Sequence, residues 1–246
     1  MSFQTGIAHS PTFSGPLYMQ VAAILRTKIC GSEWTPRAPL PNEVVLARDV
    51  GVSIGTMRKA LELLEDEHLI ERRQGRGTYV VETSLETELE RFSNVVVGSA
   101  KVRAHGVAWT VTTGEASAAE SAALNIVPGA AVYRLEAVWS AANGTTAREC
   151  VTVSAGRFPD LPKQVSEGGQ FLFPLYRRLY REAIGKVSEA LTCVNADADL
   201  ATKLNVPHGQ ALLHVSRIAF NVSGHPVEWS QRTMHMANAE YVVTMG

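Results

Sequence analysis

Residues 40–80 determine the fold of the first part of the chain: LPNEVVLARDVGVSIGTMRKALELLEDEHLIERRQGRGTYV. Asn42 can cap a short helix that Gly51 ends, because an asparagine side chain accepts hydrogen bonds from helix N–H groups and glycine adopts the left-handed conformation. Ser53 can cap the next helix, whose apolar stripe is Met57, Leu61 and Leu64. Two helices joined by so short a turn predict a helix-turn-helix.

A hairpin is predicted directly after these helices. Residues 69–72 and 78–81 have the composition of strands, and the glycine-rich residues 74–77 between them favour a tight turn. The order of helices and hairpin is that of a winged helix-turn-helix.

The flanks of this stretch complete the first domain. Apolar residues recur at helical spacing from Leu17 and predict a helix that ends at Gly31. We expect a flexible arm at 1–15, a winged helix-turn-helix domain at 16–82 and a charged linker at 83–94.

An internal repeat with an offset of 80 residues organises the rest of the chain. The matched positions are Leu124-Asn125 with Leu204-Asn205, Gly129 with Gly209, Val132 with Leu212 and Gly144 with Gly224. In each copy an alanine-rich helical stretch precedes the Leu-Asn pair, and a strand, a turn and a second strand follow it. The two units predict an α+β domain over 95–246, with a largely antiparallel sheet and pseudo-twofold character.

Composition restricts the class of protein. The chain has 246 residues, 46% hydrophobic and 19% charged, as expected for a soluble globular protein of two domains. No apolar run approaches the ~20 residues of a membrane helix, and the first residues lack the pattern of a signal peptide. Cys30, Cys150 and Cys193 are far apart, which argues against a disulfide framework. We therefore expect a cytoplasmic protein that spans no membrane.

Net charge does not by itself indicate nucleic-acid binding. It is −1 for the whole chain, and residues 1–82 contain nine Lys/Arg and nine Asp/Glu. A role in DNA binding must therefore depend on where the cations lie.

Two parts of the sequence resemble a family of bacterial regulators. PLYMQVAAILRTKI, which starts at residue 16, and the stretch at 40–80 resemble the winged-helix domain of the GntR family. From about residue 92 to residue 241, the chain resembles the UTRA effector domain of the HutC-type branch, which has a chorismate-lyase-like fold. The pieces that carry this second resemblance are LNIVPGAAVYRL, Glu149, FPDL, LTCVNADADLATKLNVPHGQALLHVSRIAF and GHPVEWS. The resemblance implies a homodimer that binds a near-palindromic double-stranded DNA operator and is released by a small metabolite. It implies no cofactor.

The candidate DNA contacts lie at the start of the recognition helix and in the wing. The first turn of such a helix enters the major groove, where polar and cationic side chains contact bases or phosphates. In the wing, glycines allow a close approach to phosphates and arginines supply charge. The candidates are Ser53, Ile54, Gly55, Thr56, Arg58, Lys59, Arg73, Gly75, Arg76 and Gly77. The alternative is that these cations form an ordinary solvated surface.

The chain departs from the family pattern near these positions. Val44 and Ile54 stand where arginines are usual, and neither can bond a phosphate, although Ile54 can contact a thymine methyl group. His68 stands where glycine is usual, whereas Arg58 matches an arginine that contacts DNA in the family. We expect fewer direct contacts and an operator that differs from the common half-site.

The effector site that the resemblance implies lacks the anchors of a sugar-phosphate sensor. Such sensors have an Arg-x-Arg pair where this chain has Ala137 and Trp139. Because a phosphate needs fixed cations, we expect a small, non-phosphorylated polar effector that is hydroxylated or cationic. Glu149 and Glu228, which follow the turns of the two repeats, are expected to hold it beside Trp139. Weaker candidates are Trp109, Arg148, Tyr176 and Arg232.

Other interpretations remain open at this point. The two glutamates could be surface carboxylates, and Trp139 could be an ordinary core residue. A lyase-like enzyme is suggested by the fold, but no nucleophile elbow, phosphate loop or HExxH motif occurs, so we assign no catalytic residue. The seven histidines show no metal-ligand spacing. An architectural DNA-binding protein, whose second domain only dimerises, would usually be basic. We therefore expect a sequence-specific transcriptional regulator, and a repressor in particular.

Overall fold

The computed structural model describes residues 15–30, 33–36, 38–66, 69–81, 92–102, 104, 107–167 and 171–243. The chain divides into two compact units, residues 1–82 and 83–246, and each has its own hydrophobic core. Most of the predicted arm and linker lie outside the described residues, as do Gly31 and His68.

The first unit contains three helices and a hairpin. The helices are α1 (Leu17–Cys30), α2 (Glu43–Val50) and α3 (Ile54–Asp66), and the antiparallel strands are β1 (Ile70–Arg73) and β2 (Gly77–Val80). All five elements contribute to one core, which includes Leu25, Leu46, Met57, Leu61, Leu64, Ile70 and Val80. The predicted winged helix-turn-helix fold is confirmed.

The predicted caps explain where the helices of the motif start and stop. Asn42 Oδ1 accepts a hydrogen bond from the N–H of Val45 at 2.9 Å, and Ser53 Oγ accepts one from the N–H of Thr56 at 3.1 Å. Gly51 has a φ of 76°, which a residue with a Cβ atom rarely adopts. These local preferences therefore end α2 and start α3 with only three residues between the two helices.

The second unit is built on a six-stranded antiparallel sheet. Its strands are β5 (Thr110–Glu115), β6 (Ala131–Ser140), β7 (Thr146–Ser154), β8 (Ile184–Asn195), β9 (Ala211–Asn221) and β10 (Pro226–His235). Their order is β5-β6-β7-β10-β9-β8, so the two hairpins of the internal repeat meet where β7 pairs with β10. A small second sheet contains β3 (Val95–Val97), β4 (Ala100–Lys101) and β11 (Glu240–Tyr241).

The repeated Leu-Asn pairs mark the same helix end in both halves of the sheet. Helices α4 (Ala118–Leu124) and α7 (Ala198–Leu204) precede β6 and β9. Asn125 and Asn205 end these helices with φ values of 50° and 53°. Asparagine tolerates this left-handed conformation better than most residues, so the repeat reflects a shared turn. The predicted α+β fold with an antiparallel sheet is confirmed.

Two further helices cover one face of the sheet, which we call the covered face. They are α5 (Leu161–Ser166) and α6 (Leu172–Tyr180), and they share a core with β6 and β7 that includes Leu135, Val151, Leu161 and Leu175. The sequence pattern predicts neither helix, because residues 155–183 have no counterpart in the repeat. It also misses β5 and β8, whose apolar residues do not alternate regularly.

Candidate functional site

The first turn of α3 lies on the surface of the first unit. Ser53, Ile54 and Gly55 are exposed, and so are Arg58 and Lys59 one turn later. The hydroxyl groups of Ser53 and Thr56 lie 2.9 Å apart, within hydrogen-bonding distance. The turn therefore presents two hydroxyl groups, two cations and the positive end of a helix dipole, all of which favour contact with an anion.

Glu43 links this helix to the wing. Its Oε2 accepts a hydrogen bond from Arg58 Nε at 3.1 Å, and its Oε1 accepts one from Arg72 at 3.5 Å. Arg72 also pairs with Glu65 at 3.2 Å. Because the side chains of Arg58 and Arg72 are 58% and 38% exposed, the pairs are weak in water, and a phosphate can compete for either guanidinium.

The wing brings its arginines to an exposed turn. Gly75 and Gly77 have φ values of 71° and 106°, and Arg76 between them is exposed. Arg73 is held at the base of the turn, with its guanidinium carbon 4.4 Å from the ring centroid of Tyr79. Its Nε also donates to Glu71 at 2.8 Å. The tip thus combines two glycines, which allow another group to approach the backbone closely, with the solvent-facing cation of Arg76.

The two apolar departures from the family pattern are surface residues. Val44 on α2 is 59% exposed, and Ile54 on α3 is 44% exposed. Each therefore leaves part of its apolar side chain exposed to solvent at a position where the family usually has a cation.

Three of the predicted effector residues meet on the covered face. Glu149 on β7 and Arg232 on β10 are directly opposite in the strand register. Arg232 Nη2 donates to Glu149 Oε1 at 2.5 Å, and Trp139 Nε1 donates to Glu149 Oε2 at 3.2 Å. The guanidinium carbon of Arg232 lies 5.7 Å from the Trp139 ring centroid, within the range of a cation–π contact. Burial raises the pKa of Glu149, but the charge and hydrogen bond of Arg232 outweigh burial and lower it.

Glu228 is a second buried carboxyl group on this face. Tyr176, from α6, donates a hydrogen bond to its Oε2 at 2.8 Å. Burial raises the pKa of Glu228 to about 7; the hydrogen bond from Tyr176 opposes this change, and the charge of Glu149 adds to it. Near neutral pH this carboxyl group therefore exchanges between its neutral and charged forms.

These positions decide between the interpretations that the sequence left open. Glu149 and Glu228 are 8% and 4% exposed, so the interpretation of both as surface carboxylates is wrong. Trp139 is 8% exposed and belongs to a core cluster, but its indole N–H also bonds Glu149. Core packing and a polar contact therefore coexist at Trp139.

A second buried ion pair lies beside the first and was missed by sequence reasoning. Arg217 on β9 is directly opposite Glu189 on β8, and its Nε and Nη2 lie 2.6 and 2.5 Å from Glu189 Oε1. Arg217 Nη2 also donates to the carbonyl of Phe92 at 2.7 Å. Glu189 Oε2 accepts further hydrogen bonds from Asn94 and Tyr241.

The repeat contains a signal for this missed arginine. Arg217 lies 80 residues after Ala137, which is the position where the family's first arginine is absent. The second half of the sheet therefore supplies a cation at the position equivalent to Ala137.

The remaining two effector candidates, Trp109 and Arg148, lie on opposite faces of the sheet. Trp109 packs at the edge of the cores on the covered face. Arg148 points to the opposite face, where its Nε donates to Glu136 at 2.8 Å beside a groove of about 330 Å³. Its neighbour Glu149 faces the other way because successive side chains of a strand alternate. Arg148 therefore lies on the opposite face of the sheet from Glu149, Trp139 and Arg232, where it lines the groove.

In the part of the chain that the structure describes, no three or more His, Cys, Asp or Glu side chains are grouped so that they could hold a metal ion. Among the same residues, no helix is long and apolar enough to cross a membrane.

Comparisons with known proteins agree with this architecture. Residues 17–80 match the family model described as bacterial regulatory proteins, gntR family, and residues 81–238 match the UTRA domain. The mannosyl-D-glycerate transport/metabolism system repressor MngR of Escherichia coli is 24% identical over 93% of this chain and 95% of its own length. A histidine utilization repressor of Pseudomonas putida is 31% identical over 48% of each chain. The crystal structure of PhnF from Mycobacterium smegmatis covers 92% of this chain and 99% of its own, with a TM-score of 0.54 and 20% identity.

The raised pKa of Glu228 predicts a pH-dependent stability. Between its ordinary pKa near 4.5 and its folded pKa of about 7, the folded protein keeps a proton that the unfolded chain has released. Stability should therefore fall as pH rises through this window, by up to roughly 3 kcal/mol. Glu228→Gln keeps the acceptor for Tyr176 and removes the charge, so it should stabilise the protein at pH 8 and have little effect at pH 5.

Scanning calorimetry of wild type and variant at both pH values measures this difference. Glu115→Gln, at an exposed position on β5, is the matched control and should leave the unfolding temperature unchanged. An equal shift at pH 5 and pH 8 in Glu228→Gln would contradict the assignment.

Proposed function

The chain belongs to the GntR family of bacterial regulatory proteins and carries a UTRA domain, and on this basis we propose that it is a repressor that leaves its operator when a small metabolite binds the UTRA domain. Family membership makes it a DNA-binding transcriptional regulator under metabolite control and not an enzyme. Repression is supported by the names of its relatives, among them MngR and the histidine utilization repressor. Because a bacterial regulator works on chromosomal DNA, we place it in the cytoplasm.

The proposed DNA surface combines the first turn of α3 with the wing. The α3 residues Ser53, Ile54, Gly55, Thr56, Arg58 and Lys59 enter the major groove, and the wing residues Arg73, Gly75, Arg76 and Gly77 contact phosphates. The exposure of this turn and of the wing tip supports the assignment. Glu43 holds Arg58 in place until a base or phosphate takes over the contact.

Substitutions at this surface should separate base recognition from charge. Arg58→Ala should weaken operator binding by about 1–3 kcal/mol and relax the base preference. Arg73→Ala and Arg76→Ala should weaken binding to every duplex and lower the slope of log affinity against log salt by about one. Fluorescence anisotropy measures both effects, with an operator selected from random DNA by the wild type and a scrambled duplex. Arg178→Ala, at an exposed position on α6, is the control and should bind as the wild type does. If the three variants at Arg58, Arg73 and Arg76 also matched the wild type, DNA would bind elsewhere.

The effector site is proposed on the covered face, around Glu149, Trp139, Arg232, Glu228 and Tyr176. The observation that carries this proposal is the charge balance of the site. Arg232 and Arg217 are each paired with a carboxylate, and Glu228 is a third acid. A phosphate dianion would find no unpaired cation among these residues, so the effector is a small polar molecule without a phosphate group.

Calorimetry with a metabolite panel tests the site. Glu149→Gln should weaken the binding of any metabolite that the wild type binds, because Arg232 and Trp139 lose the charged partner that positions them. If the only tight ligand were a phosphate ester, and Glu149→Gln bound it normally, the proposed site would be wrong. A second domain that only dimerises, as in an architectural protein, would show no ligand-dependent rise in unfolding temperature with any metabolite.

We also propose that the protein works as a homodimer formed by residues 92–246. One short recognition helix on a nearly neutral chain needs a second half-site for useful affinity. The edge strand β8 gives the second unit a surface for this purpose, because its outer edge has no strand neighbour among the described residues. Leu191 on this strand is 43% exposed.

Light scattering at micromolar concentration measures the oligomeric state. We expect twice the chain mass of 26.6 kDa without DNA, and two chains plus one duplex in a complex with one operator. A mass of one chain under both conditions would contradict the dimer.

A further inference from the structure

One buried donor on the covered face has no partner. Arg232 Nε is buried and forms no hydrogen bond within the described residues. A buried donor without an acceptor is costly, more so when it carries charge, and such groups are rare in folded proteins. Arg232 therefore retains the capacity to bind one more acceptor.

Arg217, the neighbouring arginine on the covered face, has an acceptor at the nitrogen that is unpaired in Arg232. Arg217 uses both Nε and Nη2 on Glu189, and Nη2 also bonds the Phe92 carbonyl. Arg232 contacts Glu149 through Nη2, while the other oxygen of Glu149 accepts from Trp139. Arg217 therefore has acceptors at both Nε and Nη2, whereas Arg232 has an acceptor at Nη2 and none at Nε among the described residues.

The chemistry of the missing acceptor follows from the guanidinium group. Its planar donors match a carboxylate better than a carbonyl or hydroxyl oxygen, because the hydrogen bond is charge-assisted on both sides. A cationic effector, in contrast, would have to compete with Arg232 for Glu149, which is already paired.

A carboxylate next to Arg232 changes the charge balance of the face. The two arginines are offset by Glu149 and Glu189, so a bound anion leaves an excess negative charge. Above pH 7, where Glu228 is itself charged, the face already carries one excess negative charge, and a bound anion raises the excess to two. Uptake of a proton by Glu228 returns it to one. The groups that face Glu228 are Tyr176 from α6, Glu149 from β7, Arg217 from β9 and Arg232 from its own strand β10.

We propose that the effector presents a carboxylate to Arg232 Nε, and that its binding is accompanied by the uptake of one proton at Glu228. The inference rests on the effector site proposed above and adds the chemical class of the ligand and its coupling to pH. The only covalent change is the transfer of one proton from a buffer acid to the Glu228 carboxylate. A phosphate dianion brings a second negative charge that no other group here compensates, which explains the preference for a carboxylate.

The probes are the monocarboxylates acetate, propionate and benzoate, each paired with its amide, together with inorganic phosphate. Calorimetry of the full chain in buffers of different ionisation enthalpy gives the number of protons taken up. At least one carboxylate should bind, with an uptake near one proton at pH 8 and near zero at pH 5.5, while its amide binds weakly or not at all. Above pH ~7 the affinity should fall about tenfold per pH unit, because one proton is linked to binding.

Three variants isolate the two residues. Arg232→Lys keeps the charge for Glu149 and removes Nε, so carboxylate affinity should fall about ten- to a hundredfold. Glu228→Gln should abolish both the proton uptake and the slope above pH 7. Arg178→Lys, at an exposed position on α6, is the control and should change neither. Circular dichroism and unfolding temperature establish that each variant is folded.

The outcomes separate this inference from the effector site itself. Equal binding of amides, tighter binding of phosphate, failure of every carboxylate to bind, or proton uptake unchanged in Glu228→Gln would overturn the inference. If some metabolite still binds in a Glu149-dependent manner, the effector site stands without it. If no metabolite of the larger panel binds the wild type, the proposed function fails as well.

Discussion

Each charged side chain that is buried against the central sheet needs a partner of opposite charge on the neighbouring strand. This requirement determines how the strands of the second unit pair. The pairs Arg232–Glu149 and Arg217–Glu189 are each formed by directly opposed residues of neighbouring antiparallel strands. Shifting the register of either strand pair by one residue would move one partner to the opposite face and leave a charge buried alone, which costs several kcal/mol. The pairs therefore fix the register of β7 with β10 and of β8 with β9. The polar site and the fold depend on the same contacts.

In the first unit most of the charges lie on the surface, and their distribution matters more than their sum. Its charges sum to about zero, so attraction to DNA cannot come from a general basic surface. The structure gathers cations at the recognition helix and the wing, and Glu43 bonds one from each. Such exposed pairs contribute little stability, and they position guanidinium groups that would otherwise be mobile. In the proposed homodimer, affinity would then depend more on two DNA-binding surfaces that bind two half-sites than on overall charge.

The two units differ in how far the sequence predicts them. The winged domain follows from local signals, because Asn42, Gly51 and Ser53 each act on the backbone within three residues of themselves. In the second unit the repeat predicts α4, α7 and their strands, again through a local turn. The charged cluster is different, since Arg217 meets Glu189, and Glu149 meets Arg232, only after distant strands pair. Alternation alone does predict that Arg148 and Glu149 lie on opposite faces of the sheet, because they are neighbours on one strand. Burial of the glutamates depends on α5 and α6, for which the sequence gives no repeated pattern.

The same cluster suggests how a bound molecule can affect the rest of the chain. Arg217 bonds the Phe92 carbonyl, and Glu189 bonds Asn94. Phe92 and Asn94 are among the first described residues of the second unit, directly after the segment that leads from the DNA-binding unit. Arg232, Glu228 and Arg217 interact through charge within one buried layer, where the effective dielectric constant is lower than in water. In the proposed binding reaction, a change of charge at Glu228 would act on Arg217, whose Nη2 bonds the Phe92 carbonyl. Allosteric control requires that the ligand bind two arrangements with different free energy, and the hydrogen bonds of Phe92 and Asn94 are contacts that can differ between them.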